Sequence, residues 1–276
     1  QPLAPIVALA ATYGLPCHAD MVQWAGHRSF DFAASGLAAA SLSGHKLGGP
    51  VGTGVLLLAA DQTIRPITGG GGQERAIRSG TQDSRGAAAF AAALSACHTN
   101  SLALAEPVQP AGPLPAPPVS ALPAPTAPAS APPATASGQP SLTGQTNALE
   151  AEATRLEQLL KPLDQLVNAS DGRLRLRSPA EPAQRLPGLR LLTVPDSRAD
   201  DLAFLFDQAG LAVSTGAACH SGVAGPSHVL LAIGCNKTEA AAGVRISLGW
   251  SSTADDVTAL VAALPAVLAQ ARQANQ

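Results

Sequence analysis

One lysine stands among glycines and hydroxyls in Ser43-Gly44-His45-Lys46-Leu47-Gly48-Gly49-Pro50. A lysine amine becomes chemically useful when burial or neighbouring cations free its lone pair, and its characteristic reaction is then a Schiff base with a carbonyl. Upstream, His18-Ala19-Asp20-Met21-Val22-Gln23 places a carboxylate and an amide three residues apart. A carboxylate can keep a pyridine nitrogen protonated, which makes the ring an electron sink, and an amide can donate to a phenolic oxygen. Lys46, Asp20 and Gln23 together therefore suit pyridoxal phosphate. Read singly, each has a plainer meaning: Lys46 is a solvated charge at a strand end, and Asp20 is a helix N-cap.

Two further positions carry chemistry. Cys219 lies in Ser214-Thr215-Gly216-Ala217-Ala218-Cys219-His220-Ser221-Gly222, small residues that suit an exposed loop and so an accessible thiolate nucleophile. The plain alternative is a small inert hydrophobe. Arg245, in Gly243-Val244-Arg245-Ile246-Ser247-Leu248-Gly249, sits in an alternating strand pattern, where an inward-facing arginine needs a carboxylate partner. Its planar fork suits the carboxylate of an amino acid. On an edge strand it is instead a surface charge.

These residues need elements to hold them. A helix over residues 3–13 leads into a strand at 15–20, so Asp20 falls at a strand's C-terminal end, where open α/β sheets bind ligands. Strands at 38–42 and 51–58 flank the lysine turn, and an alanine-rich helix starts at Gly86. From about residue 99 to 146 proline and alanine alternate densely with hardly a charge, a composition that cannot bury enough surface to order itself. Beyond it the pattern predicts a long helix over 149–166, strands at 174–176 and 189–194, and a helix at 199–208. A strand at 211–214, a helix at 227–233, the Arg245 strand and a helix from Thr253 complete an α+β unit.

In order, HADMVQ, SLSGHKLGGPVGTGVL, GGGGQERAIRSGT and STGAACHSG resemble the cysteine desulfurases of the class V aminotransferase family, over nearly all of the chain except its middle. The resemblance implies an α/β fold: the C-terminal half of a fold-type-I large domain at residues 1–98, a Pro/Ala-rich disordered insertion at 99–147, and a smaller α+β domain with the Cys219 loop at 148–276. It implies that Lys46 links the cofactor, that Asp20 and Gln23 address its ring nitrogen and ring oxygen, and that Ser43 and His45 bind its phosphate. Thr81 would reach the phosphate of a neighbouring subunit, which makes the protein a homodimer. Arg245 would hold the substrate carboxylate, and Cys219 would take sulfur from L-cysteine as a persulfide. The sulfur would pass to an acceptor protein serving iron–sulfur cluster assembly or tRNA thiolation. Arg75 and Arg78 either neutralise phosphate or brace the dimer. Another aminotransferase or lyase would share Lys46 and Asp20 without needing Cys219, and an inactive homologue would act only in protein binding.

Composition narrows the rest. The 276 residues are 46% hydrophobic, ample for one large or two modest domains. A net charge of −2 offers no basic field for nucleic acid. The four cysteines, Cys17, Cys97, Cys219 and Cys235, lack CxxC spacing, which argues against a zinc site and fits a reducing cytoplasm. Neither a secretory leader nor a spanning segment is expected; the best candidate, 257–271, is interrupted by Pro265. The sole methionine is Met21, and the resemblance begins at Gln1-Pro2, midway through the family's cofactor domain. The expectation is therefore a fragment lacking the first part of the fold, unstable or inactive alone.

Overall fold

The computed structural model describes residues 2–99, 142–215 and 225–275, apart from the side chains of 99 and 142–147. Residues 100–141, most of the Pro/Ala-rich stretch, and Cys219 lie outside the described residues, whereas the end of the expected insertion is already helical from Leu142. Two sheets organise the chain.

The first sheet is built early. Helix α1 (Leu3–Thr12) ends as Leu15 N–H turns back to the Ala10 carbonyl, so strand β1 is confined to His18–Asp20. It runs parallel to β2 (Ala39–Ser43), with Asp20 opposite Ser41, and β2 pairs antiparallel with β3 (Gly54–Leu58). The lysine turn between β2 and β3 is a 3-10 helix, Gly44–Lys46. Gly44 is required there, because a Cβ would collide with Thr53 and press on Phe90 of α3 (Ser84–Thr99). Gly52, at φ 83°, keeps Val51 out of β3 and exposed. The segment between β3 and α3 contains a short turn, α2 (Gln73–Ala76), whose Glu74, Arg75 and Ala76 all adopt left-handed backbone angles. Side chains cover this sheet thinly, in one cluster around Met21, Leu37 and Ala40 and another around Ala25, Leu47 and Phe90.

The second sheet has order β4-β5-β7-β6, antiparallel throughout, from β4 (Arg175–Leu176), β5 (Leu189–Thr193), β6 (Ser214–Thr215) and β7 (Gly243–Ser247). The single long helix expected over 149–166 is two, α4 (Leu142–Leu159) and α5 (Lys161–Asn168). Pro162 has no N–H to give the preceding turn, and the chain breaks at Leu160. Helix α6 (Ala199–Gln208) is as expected, but the strand expected at 211–214 starts only at Ser214. The Leu211 N–H is spent on the Phe206 carbonyl after a left-handed Gly210, which closes the helix and delays the strand. Short helices α7 (His228–Ala232) and α8 (Lys237–Ala240) precede β7, each capped by a side chain, Ser227 and Asn236.

The last helix, α9 (Ala254–Gln273), is the terminal helix expected from Thr253, and it runs unbroken through Pro265. By length and composition it could cross a membrane. Instead Val257, Leu260, Leu264, Val267, Leu268 and Ala271 bury one stripe in the main core, against α5, α6, β5 and β7. That burial outweighs the hydrogen bond the proline removes.

One arginine is wholly buried. Arg190 on β5 donates to Asp164 at 2.8 and 2.9 Å and to Glu157, which Arg185 also clasps at 2.6 Å. Burial disfavours the charge, but the hydrogen bonds Arg190 donates to Asp164 and Glu157 prevail and hold its pKa above the ordinary value. For Glu157 burial likewise pushes upward, and the two guanidiniums overcome it, so its pKa is lowered.

Candidate active site

By the alternation of strand side chains, His18 and Asp20 of β1 share a face with Ser41 and Ser43 of β2, while Ala19 and Ala40 are buried on the other. Because the two strands are parallel, Asp20, Ser43 and the Lys46 turn all gather at their C-terminal ends. The Asp20 Oδ1 accepts the Val22 N–H at 3.0 Å, so the capping role open from sequence is realised as a turn that leaves Oδ2 without a partner among the described residues. Gln23 is exposed on that turn. Ser43 Oγ and His45 Nδ1 share a 2.6 Å hydrogen bond across the 3-10 helix.

Lys46 is exposed and forms no ion pair among the described residues. The burial invoked to free its amine is thus not supplied by this chain's own packing. Behind Gln23, burial lowers the His27 pKa while the nearby Glu152 carboxylate pulls it partly back.

A second pair escaped the sequence reading: His18 Nε2 lies 2.8 Å from Ser41 Oγ. It ties the strand of Asp20 to the strand of Ser43, and the signal was available in the i, i+2 spacing of His18-Asp20 and Ser41-Ser43.

Thr81 is exposed, beyond the left-handed α2 turn. That turn is held by Ser79 Oγ donating to the Gly71 carbonyl at 2.8 Å and by Gln73 Oε1 accepting the Gly80 N–H at 3.1 Å. Arg75 forms no ion pair among the described residues, and Arg78 donates to backbone carbonyls of its own loop.

Arg245 stands on the other sheet, at the centre of β7. Val244 and Ile246 face the core, so Arg245 projects from the opposite face, half-buried rather than inward. Its Nε is buried without a hydrogen-bond partner, and no carboxylate pairs with it among the described residues. It lies opposite Ser214 in the β6–β7 register, on the strand that leads into the Cys219 loop. The structure thus gathers Asp20, Gln23, Ser43, His45 and Lys46 at one strand end, and brings Arg245 beside the start of the Cys219 segment.

The model for the aminotransferase class-V family matches residues 1–106 and 143–260. The chain belongs to that family. This class-V aminotransferase chain is 36% identical over 273 residues to an IscS-like cysteine desulfurase of Mycobacterium tuberculosis, covering 99% of the chain and 57% of that protein. It is 30% identical to a cysteine desulfurase of Rhodobacter capsulatus, covering 98% of the chain and 57% of the relative. A NifS-like protein of Rickettsia africae superposes with a TM-score of 0.68 at 24% identity, over 96% of this chain and 57% of that one. The α/β fold expected from sequence is therefore borne out, and the chain spans just over half the length of the relatives it matches.

The donor set at the β1–β2 end fits pyridoxal phosphate. It offers an open carboxylate oxygen for a pyridinium, a hydroxyl–imidazole pair for phosphate, and an unpaired primary amine for an aldehyde.

Proposed function

We propose that this chain carries the catalytic residues of a cysteine desulfurase, which converts L-cysteine to L-alanine and retains the sulfur on Cys219. The observation that supports it most directly is the convergence of Asp20, Ser43, His45 and Lys46 at the C-terminal end of one parallel strand pair. The cysteine desulfurase names of its relatives support the sulfur half of the reading.

Lys46 would hold pyridoxal phosphate covalently, Asp20 its ring nitrogen, Gln23 its ring oxygen, and Ser43 and His45 its phosphate. Bound there, the cofactor supplies an electron sink that acidifies the hydrogen at the substrate's α-carbon. The chain's own residues do the rest. Arg245, with an unsatisfied Nε, takes the substrate carboxylate and orients the amino acid. The Lys46 amine moves the α-proton. The Cys219 thiolate bonds to the substrate sulfur as the substrate's carbon–sulfur bond breaks, leaving a persulfide on Cys219 and alanine as the product.

Residues 1–98 form the cofactor-binding part and 148–276 the smaller domain, joined by the Pro/Ala-rich stretch. The protein acts as a cytoplasmic homodimer in which Thr81, exposed beyond α2, serves the phosphate site of the neighbouring subunit. The persulfide sulfur goes to an acceptor protein of iron–sulfur assembly or tRNA thiolation.

The test incubates the purified chain with pyridoxal phosphate and L-cysteine, and counts alanine against protein-bound sulfane sulfur. The two should appear in equal amounts. Lys46→Ala should abolish covalent cofactor attachment; Cys219→Ser should retain it and form no persulfide. Full sulfur release by Cys219→Ser would overturn the assignment.

A further inference from the structure

A second concavity shares no residue with the site above. A cleft of about 620 Å³ opens where the β5–α6 loop meets α8 and the end of α9. Arg198, the N-cap of α6, and Arg272, in the last turn of α9, both line it, together with Asp196, Ser197, Thr238 and Asn275.

The two arginines differ from most others in residues 142–275, although Arg173 and Arg245 also form no ion pair among the described residues. Arg155, Arg175, Arg177, Arg185 and Arg190 all have carboxylate partners. Arg198 and Arg272 have none among the described residues, and the Arg272 Nε is buried with no hydrogen-bond acceptor among them. Native folds rarely leave such a donor unsatisfied without a ligand or ordered water. Around it, Ser197 Oγ donates to the Val194 carbonyl, and Asn275 Nδ2 donates to Asp201 and to the Ala271 carbonyl. None of the cleft's polar groups accepts from the Arg272 Nε, which leaves that donor open to a ligand.

We propose that this cleft binds a small organic oxyanion, its carboxylate or phosphate held between the guanidiniums of Arg198 and Arg272. A planar fork with an unspent Nε is suited to two-point recognition of either group. The volume falls in the range of small-molecule sites. Asp196 selects against a bare, compact anion by repulsion and accepts a hydroxyl or ammonium hydrogen from the rest of the ligand. The chain's net charge of −2 provides no wider basic field, so the attraction is local and suits a small ligand better than a polyanion.

The experiment titrates the full chain by calorimetry and amide NMR with glycerol 3-phosphate, L-malate and inorganic phosphate. One of the two organic probes should bind and shift the amides of 196–199 and 271–275. Which one does so separates phosphate ester from carboxylate, and inorganic phosphate should bind more weakly than that probe. Arg272→Gln and Arg198→Gln should each weaken binding by about tenfold or more, as loss of one charge-assisted hydrogen bond predicts. Asp196→Asn should narrow the gap between inorganic phosphate and the organic probes. Lys46→Ala and Arg245→Ala should bind as the parent does, which separates this cleft from the proposed active site. Absence of binding by both organic probes at about 10 mM, weaker than any useful site, overturns the proposal. So does unchanged affinity in a folded Arg272→Gln, or loss of binding in Arg245→Ala.

Discussion

The two sheets bury themselves to very different extents. Around the β4-β5-β7-β6 sheet a continuous core joins α5, α6 and α9 through Leu163, Leu202, Phe206, Val244 and Leu264, each no more than 1% exposed. Around the β1-β2-β3 sheet the clusters are small, and α1 buries none of its residues. Ile67 is fully exposed and Val51 85% so, with Leu9, Leu15 and Leu56 also open. Both β1 and β3 are edges of their sheet. Yet this thinly packed region holds most of the candidate cofactor contacts. The densely packed region carries Arg245 and the strand leading toward Cys219, and the open one carries the Asp20, Ser43, His45 and Lys46 donor set.

That contrast can be broken by mutation. Phe206→Ala should cost about 3–5 kcal/mol in denaturant unfolding, since the main core cannot collapse around the gap. Met21→Ala, in the small cluster, should fall near the lower end of the roughly 2–5 kcal/mol range for such truncations. Equal losses would refute the difference in packing. Arg190→Ala should cost about 3 kcal/mol, because it empties a buried site and leaves Asp164 without its guanidinium, while Glu157 keeps Arg185. Thermal unfolding of Arg190→Ala and Glu157→Gln, measured together with the double variant, would give the coupling.

Acid should separate the regions further. His27, in the open region, has a lowered pKa when folded, so its neutral form is favoured. Its contribution is present above the unfolded value of 6.5 and is lost as pH falls through the lower folded value. Glu157, in the dense region, also has a lowered pKa, and its contribution is lost only as pH falls below 4.5. Amide exchange followed with decreasing pH should therefore loosen the segment around His27 before β5. The reverse order would contradict the assignment. The smallest effect is expected at the α9 cap, where Thr253→Ala should cost about 1 kcal/mol, read from thermal unfolding.

How far the sequence reached can be judged residue by residue. Helix α6 matched the expected 199–208, because its apolar spacing and the glycine that ends it are local signals. The break at Leu160 was also local, written in Pro162, but the strong helical pattern on either side obscured it. Pro265 is the opposite case: it interrupts the apolar run locally, yet the helix expected from Thr253 runs through it, held by the core packing of α9. In the candidate site, the meeting of Asp20 with the Lys46 turn was legible from residue types and motif order, whereas Cys219 lies outside the described residues. The His18–Ser41 pair was not legible, since it depends on which residues two strands place side by side.

By itself the sequence determined the family, the order of the elements and the residues able to do chemistry, because motifs, turns and periodicity act over a few neighbouring positions. Tertiary structure alone decided that Arg190, and not Arg245, is the buried arginine with carboxylate partners. Both lie in alternating strands, and only the register of β5 against β7 and the helices packed on one face determine which side chain meets Asp164 and Glu157 and which is left with an unsatisfied nitrogen.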